Sequence, residues 1–253
     1  MCRFRCLDSD WKATLGLVYK HALSVSIDQY AKPIMQTMQT YAIDHNSLRV
    51  AHFLAQVGHE SGELRYSKEI WGPSAAQRRY EGRRDLGNTQ PGDGKRFMGH
   101  GLIQLTGRRN HTKFGEAVNV DVLTRPEVIA NDPNLSALAA GWYWDSGNPT
   151  GQSLNRYADR DDLLTITRRI NGGTNGLNDR RRLYYRACDA LEWAETRMLQ
   201  TTLNEALGLE LVVDGSFGVM TRTALMDYQR KEKLVVDGVI GPVTWGKLET
   251  VLL

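Results

Sequence analysis

The stretch "HESGELRYSKE" (59–69) follows directly on an apolar run, "VAHFLAQVG" (50–58). Asn46 or Ser47 can cap a helix that starts here. Phe53, Val57, Glu60 and Leu64 then fall on one helical stripe, so Glu60 shares a face with apolar side chains. A carboxyl held against such a wall resists ionising, which is what a general acid needs near neutral pH. Glu69 lies nine residues further on. On one unbroken helix, nine steps of about 100° would put it on the opposite side. If both carboxylates serve one site, the helix must end between them, and Gly62 offers the break. Spacing alone leaves Glu63 and Glu81 open as alternative partners.

The rest of the chain bounds what such a site can be. The 253 residues are 41% hydrophobic and 24% charged, with a net charge of +3. This is a composition that folds, and too weakly basic to point to nucleic acid. No apolar run is long enough for membrane insertion. No apolar segment follows Arg3 and Arg5, so no signal peptide is expected. Cys2, Cys6 and Cys188 form neither a disulfide framework nor metal spacing, and reduced thiols are expected. Zinc chemistry of the H-E-x-x-H kind fails because Glu63 stands four after His59. The loop "GNTQPGDGK" (87–95) fails as a phosphate loop because Asp93 follows Gly92 and Arg96 follows Lys95. No G-x-S-x-G elbow occurs. Neither a metal nor another cofactor is expected.

The tail repeats itself. "LVVDGSFGVMTRTAL" (211–225) and "LVVDGVIGPVTWGKL" (234–248) share eight of fifteen residues at an offset of 23. Each copy reads as a short run, an Asp-Gly turn at Gly215 or Gly238, and a helix, with Pro242 at a helix start. Before them, Leu199, Leu203 and Leu207 make a helix stripe closed by Gly208. Residues 196–253 therefore form a three-helix module with six Lys and Arg against seven Asp and Glu. The join near residue 195 lacks Pro and Gly, so a short, helical connection is expected. "MLQTTLNEAL", "VVDGSFGVMTRTALMDYQ" and "VDGVIGPVTWGKL" resemble the peptidoglycan-binding module of many cell-wall hydrolases.

In "FMGHGLIQLTGRRNH" (97–111), Gln104 and Thr106 sit at period 2, so in an extended chain they share a face. An amide beside a hydroxyl can hold a sugar and a water. "RRINGGTNGLNDRRRLYY" (168–185) breaks a helix after Asn171, at Gly172-Gly173, and restarts it near Asp179. Trp71, Tyr80, Trp142, Tyr143 and Trp144 are candidates for stacking on sugar rings.

Together "FLAQVGHESGELRYSKE", "YEGRRDLGNTQPGDGKRFMGHGLIQLTGRRNH" and "INGGTNGLNDRRRLYY" resemble glycoside hydrolase family 19, the plant-type chitinases and a branch of phage endolysins, over roughly residues 45 to 190. The resemblance implies a mainly α-helical, two-lobed, lysozyme-like catalytic domain (residues 1–195) ahead of the small wall-binding domain (196–253). It implies an inverting glycosidase with Glu60 as general acid, Glu69 as general base and Thr106 holding the attacking water. His59, Gln104, Asn110 and Asn171 match substrate-contacting positions. Inversion requires the two carboxyls to stand about 6.5–9.5 Å apart. The chain departs from the family at Gly99-His100-Gly101, where G-R-G is usual, and at Asn110-His111, where Asn-Tyr is usual. His100 would then make a cleft charge that titrates near the usual imidazole value of about 6.5.

The expectation is a monomeric phage or prophage endolysin that cuts β-1,4 bonds of peptidoglycan as a muramidase. It would be made in the host cytoplasm and reach the periplasmic wall after holin release. A chitinase, a lytic transglycosylase working with one acid, and a wall-binding protein without activity are the competing readings.

Overall fold

The computed structural model describes residues 8–251; Cys2 and Cys6 lie outside them. The helices run in the order α1 (Asp8–Val18), α2 (Ser24–Thr40), α3 (Ser47–Glu60), α4 (Ala75–Arg78), α5 (Asp93–Arg96), α6 (Arg108–Val118), α7 (Val128–Asn131), α8 (Pro133–Trp142), α9 (Asn155–Ala158), α10 (Leu163–Asn171), α11 (Leu177–Leu207), α12 (Val219–Lys231) and α13 (Pro242–Leu248). Two isolated antiparallel bridges, Lys68 with His100 and His100 with Leu105, are the extended pairing among the described residues. The chain is mainly α. No helix among the described residues is long and apolar enough to cross a membrane.

α3 is the central helix, and it packs lengthwise against α11. Asn46 caps it by accepting from Arg49 N at 2.9 Å. Every residue from Val50 to Gly58 is buried, so the helix is wrapped on all sides and not on one stripe. Two polar members of that run are tied down from elsewhere. His52 Nε2 meets Asp161 Oδ1 at 2.9 Å, and Gln56 receives a guanidinium from α11.

α3 ends at Glu60, and the next residues form an unusual turn. Gly62, Glu63 and Leu64 all have positive φ, at 59°, 60° and 64°. Only glycine takes that conformation freely; each other residue pays roughly 1–2 kcal/mol. Tertiary contacts hold the run. Ser61 Oγ donates to Val57 O and accepts from Leu64 N, and Leu64 is buried. The Glu63 carboxylate accepts from His21 N at 2.9 Å, meets His21 Nδ1 at 2.8 Å, and faces Arg182 and Arg186 at 3.5 and 3.6 Å. Burial alone would push this carboxyl up, yet the His21 and Arg186 contacts hold it below the usual range. Glu63 is therefore an anchor of the turn.

Two separate apolar cores share α11. Leu183, Ala187 and Leu191 belong to the large core. Met198, Leu199 and Leu203 belong to the small one, with Leu225, Tyr228 and Trp245. The changeover falls inside one continuous helix. Arg197 braces it: Nε donates to Asp10 Oδ2 on α1 at 2.9 Å, Nη1 donates to Val213 O, and the guanidinium lies over the Trp193 ring, 5.0 Å from its centroid. In the small domain, each Asp-Gly turn is held by a buried glutamine from the preceding helix. Gln200 Nε2 donates to Asp214 Oδ1 and its Oε1 accepts from Gly215 N, both at 2.9 Å. Gln229 does the same for Asp237, at 2.8 Å, and Gly238, at 2.9 Å.

Candidate active site

Glu60 sits on the last turn of α3, where the expected apolar wall is replaced by a cation. Arg180 of α11, fully buried, donates through Nη2 to Glu60 Oε1 at 2.5 Å and through Nη1 to Gln56 Oε1 at 2.5 Å. A buried guanidinium needs such acceptors, and the fork fixes one carboxyl oxygen while the side chain stays about one-fifth exposed. Tyr143 lies close by: burial first, then the Glu60 charge, push its phenol up to about 12. Its hydroxyl reaches Ile170 O at 3.5 Å, next to Asn171, which is exposed at the end of α10.

Glu69 is held from three directions. Oε1 accepts from Gln77 Nε2 at 2.9 Å and from the Tyr80 hydroxyl at 3.4 Å; Oε2 accepts from Gly99 N at 2.9 Å. Burial and the Glu69 charge raise the Tyr80 phenol, so it remains a donor. Glu81 does not compete for this place. Its two oxygens accept from Gly92 N and Gly94 N at 2.7 and 2.8 Å, so the Gly-rich loop cradles a carboxylate of its own chain.

The segment 99–106 differs from the extended run that its period suggests. His100 and Leu105 exchange backbone hydrogen bonds of 3.1 and 2.8 Å, closing a turn in which Gln104 has φ 54°. Gln104 and Thr106 come together all the same, because Thr106 Oγ1 donates to Gln104 O at 2.8 Å and Asn110 Nδ2 to Thr106 O at 3.0 Å. Gln104 Oε1 lies only 2.7 Å from where a Cβ on Gly99 would stand. Gln104 thus packs on Gly99, whose N–H donates to Glu69, and Thr106 is tied to Asn110 on the first turn of α6.

His59 faces the protein. Its Nδ1 meets Asp179 Oδ2 at 2.7 Å, and its ring covers Gly176, where an added Cβ would fall 2.2 Å from Cε1. That contact holds the start of α11, and with it Arg180.

His100 and His111 also turn inward, correcting the expected titrating charge. Both are buried. His111 Nδ1 lies 2.9 Å from Gly107 O and its Nε2 3.1 Å from His100 Nδ1, so His111 donates to the carbonyl and accepts from His100. Burial and Lys68 push His100 down to about 4; burial foremost, with the His100 charge, pushes His111 down to about 3. Both are neutral at ordinary pH. Trp142 and Trp144 are core residues, leaving Trp71, Tyr80 and Tyr143 partly exposed. Among the described residues no group of three His, Cys, Asp or Glu is placed to hold a metal.

Sequence reasoning missed Arg180. It stands in a run of three arginines, and only burial separates it from Arg181 and Arg182. It also missed Gln77 and Asp179, whose partners are set by tertiary packing.

Glu60, forked by a buried arginine, and Glu69, held by amide, phenol and backbone donors, are carboxyl groups of the kind that glycosidases use in pairs. Residues 31–156 match the chitinase class I family, and residues 194–248 match the putative peptidoglycan binding domain. The chain is 32% identical over 166 residues to a glycosyl hydrolase family 19 domain-containing protein of Haemophilus influenzae, a span of 55% of this chain and 78% of the relative. It is 32% identical over 117 residues to endochitinase A2 of Pisum sativum, 38% of this chain and 36% of that one. The crystal structure of chitinase C from Streptomyces griseus shares the fold, with a TM-score of 0.58 at 22% identity, covering 71% of this chain and 91% of that one. The chain belongs to glycoside hydrolase family 19 and is a glycosidase that carries a peptidoglycan-binding domain.

Proposed function

We propose that the protein hydrolyses β-1,4 glycosidic bonds of bacterial peptidoglycan as a muramidase, in the manner of a phage endolysin released to the wall by a holin. Glu60 protonates the leaving oxygen. Glu69 activates a water that Thr106 helps to hold, and the anomeric configuration inverts. Gln104, Asn110 and Asn171 contact the sugars. His59 acts through Asp179 and Gly176, keeping Arg180 against Glu60. The observation that carries the substrate is the wall-binding domain built on the same helix, α11, that brings Arg180 to Glu60. A domain matched to peptidoglycan binding would give no hold on chitin.

The test is digestion of purified Gram-negative peptidoglycan by the wild type and by Glu60→Gln, with borohydride reduction and mass spectrometry of the new ends. Reduced N-acetylmuramic acid ends from the wild type alone are expected. Reduced N-acetylglucosamine ends would move the bond, and anhydro ends would overturn two-carboxylate hydrolysis. Intact wall together with cleaved chitin would make the protein a chitinase.

A further inference from the structure

The small domain carries a groove of about 560 Å³, within the size range of ligand sites. One wall is the α12 face bearing Met220, Thr223 and Asp227; the other is the segment Leu209, Glu210 and Val212. We propose that this groove binds the peptide stem of peptidoglycan and not its glycan, an inference that rests on the peptidoglycan reading above.

Three observations select a peptide. First, the lining holds no aromatic ring, the usual platform for a sugar face. Val212, Val219 and Met220 are instead exposed aliphatic surface, at 77%, 82% and 71%, suited to alanine methyl groups. Second, the backbone of the segment alternates in its engagement. Leu211 N and O bond Asn204 at 2.7 and 2.9 Å, and Val213 O accepts from Arg197. The N–H and C=O groups of Glu210 and Val212 have no hydrogen-bond partner among the described residues. Such alternate free groups are how an incoming peptide is held. Third, the rim is acidic, with Glu210, Asp214 and Asp227. Asp214 Oδ1 is engaged by Gln200 Nε2 and Ser216 N, and Asp227 Oδ1 by the exposed Arg230; Glu210 has no ion-pair partner among the described residues. A carboxylate rim fits the free ammonium of the stem's diamino acid.

The repeat supplies its own control. At the offset of 23 residues, the second copy has Lys233 where the first has Glu210, Thr250 where it has Asp227, and Val243 where it has Met220. Val243 is 71% exposed, as Met220 is. The apolar surface and the turn aspartate recur, Asp237 standing for Asp214, but the other two rim carboxylates do not.

The test uses the full chain with Glu60→Gln, so that nothing is digested. Binding is measured to intact sacculi, to sacculi stripped of stems by an amidase, and to the soluble tetrapeptide L-Ala-γ-D-Glu-meso-diaminopimelate-D-Ala. Intact sacculi and the tetrapeptide are expected to bind, and stripped glycan to bind at least tenfold more weakly. Met220→Glu, and separately Glu210→Lys with Asp227→Thr, should each lose tenfold or more, while Val243→Glu stays within twofold. Equal binding to stripped glycan, or equal loss in Val243→Glu, would overturn the stem assignment while leaving the wall reading intact. Failure to bind intact sacculi at all would overturn the wall reading itself.

Discussion

Arg180 and Glu60 meet at 2.5 Å, with the guanidinium sealed from solvent and its second arm on Gln56. A lysine ammonium is a compact point charge without the guanidinium's planar fork, so it does not reproduce both contacts in the same geometry. Arg180→Lys should therefore release either Gln56 or Glu60. The expected result is about 1–3 kcal/mol lost in urea denaturation. Turnover should fall tenfold or more, with KM nearly unchanged, because the carboxylate loses its fixed orientation while the sugar contacts remain.

Glu69→Gln separates the two-carboxylate reaction from a one-acid route. The amide can still accept from Gly99 N but cannot take a proton from water. Loss of a general base costs typically 10²–10⁴-fold, so kcat should fall by about that much with binding to intact sacculi retained. A variant that keeps near-full turnover would point to a transglycosylase.

The His100–His111 pair predicts an acid-sensitive fold. Their folded values, about 4 and about 3, lie below the unfolded imidazole value. The unfolded chain thus binds more protons in that window, and stability rises with pH there. The contribution is fully present above pH 6.5 and is lost as pH falls toward 4. By pH 5 the loss should reach about 2 kcal/mol per histidine. Urea midpoints from pH 7 to 5 measure the slope, and His100→Gln with His111→Gln should flatten it.

Local signals read well where local chemistry decides. The Asn46 cap, the stops at Gly172 and Gly208 and the two Asp-Gly turns all follow from residue type and spacing. The site is different. Gly62 announces a break, but Glu63 and Leu64 take left-handed conformations because His21, Arg182 and Arg186 hold the carboxylate from distant parts of the chain. Spacing could not rank Glu63, Glu69 and Glu81, since their roles are set by donors from three other segments. Gln104 fails as an extended residue for the same reason: the His100–Leu105 pairing overrides its period. His59 and Arg180 carry no local mark of their burial or partners.

Glu63→Gly sets two effects against each other. Glycine relieves about 1–2 kcal/mol of left-handed strain. It also removes a buried carboxylate that engages His21 twice and faces two arginines, and breaking such a network costs about 3–5 kcal/mol. The second effect is larger, so the variant should be less stable by about 2 kcal/mol. Turnover should drop as well, because this turn joins Glu60 to Glu69. Thermal unfolding beside initial rates checks both.

Gln200→Leu tests how far the small domain stands alone. The side chain is buried at 2% exposure and links Asp214, Ser216, Gly215 and Thr221. Leucine keeps much of the volume and leaves several of those groups without a partner, a cost of about 2–4 kcal/mol. The small core rests on few buried side chains, such as Leu199, Leu225 and Trp245, and a domain of that size has little stability in reserve. Among the described residues the large core shares only α11 with it, and Leu183, Ala187, Ala190 and Leu191 of that helix lie inside the large core. Calorimetry of Gln200→Leu should show a small-domain transition moved below the main one. Cleavage of a soluble oligosaccharide should persist while sacculus binding is lost. A single unshifted transition would mean that α11 and the Arg197 brace couple the two cores so tightly that the Gln200 network adds nothing of its own.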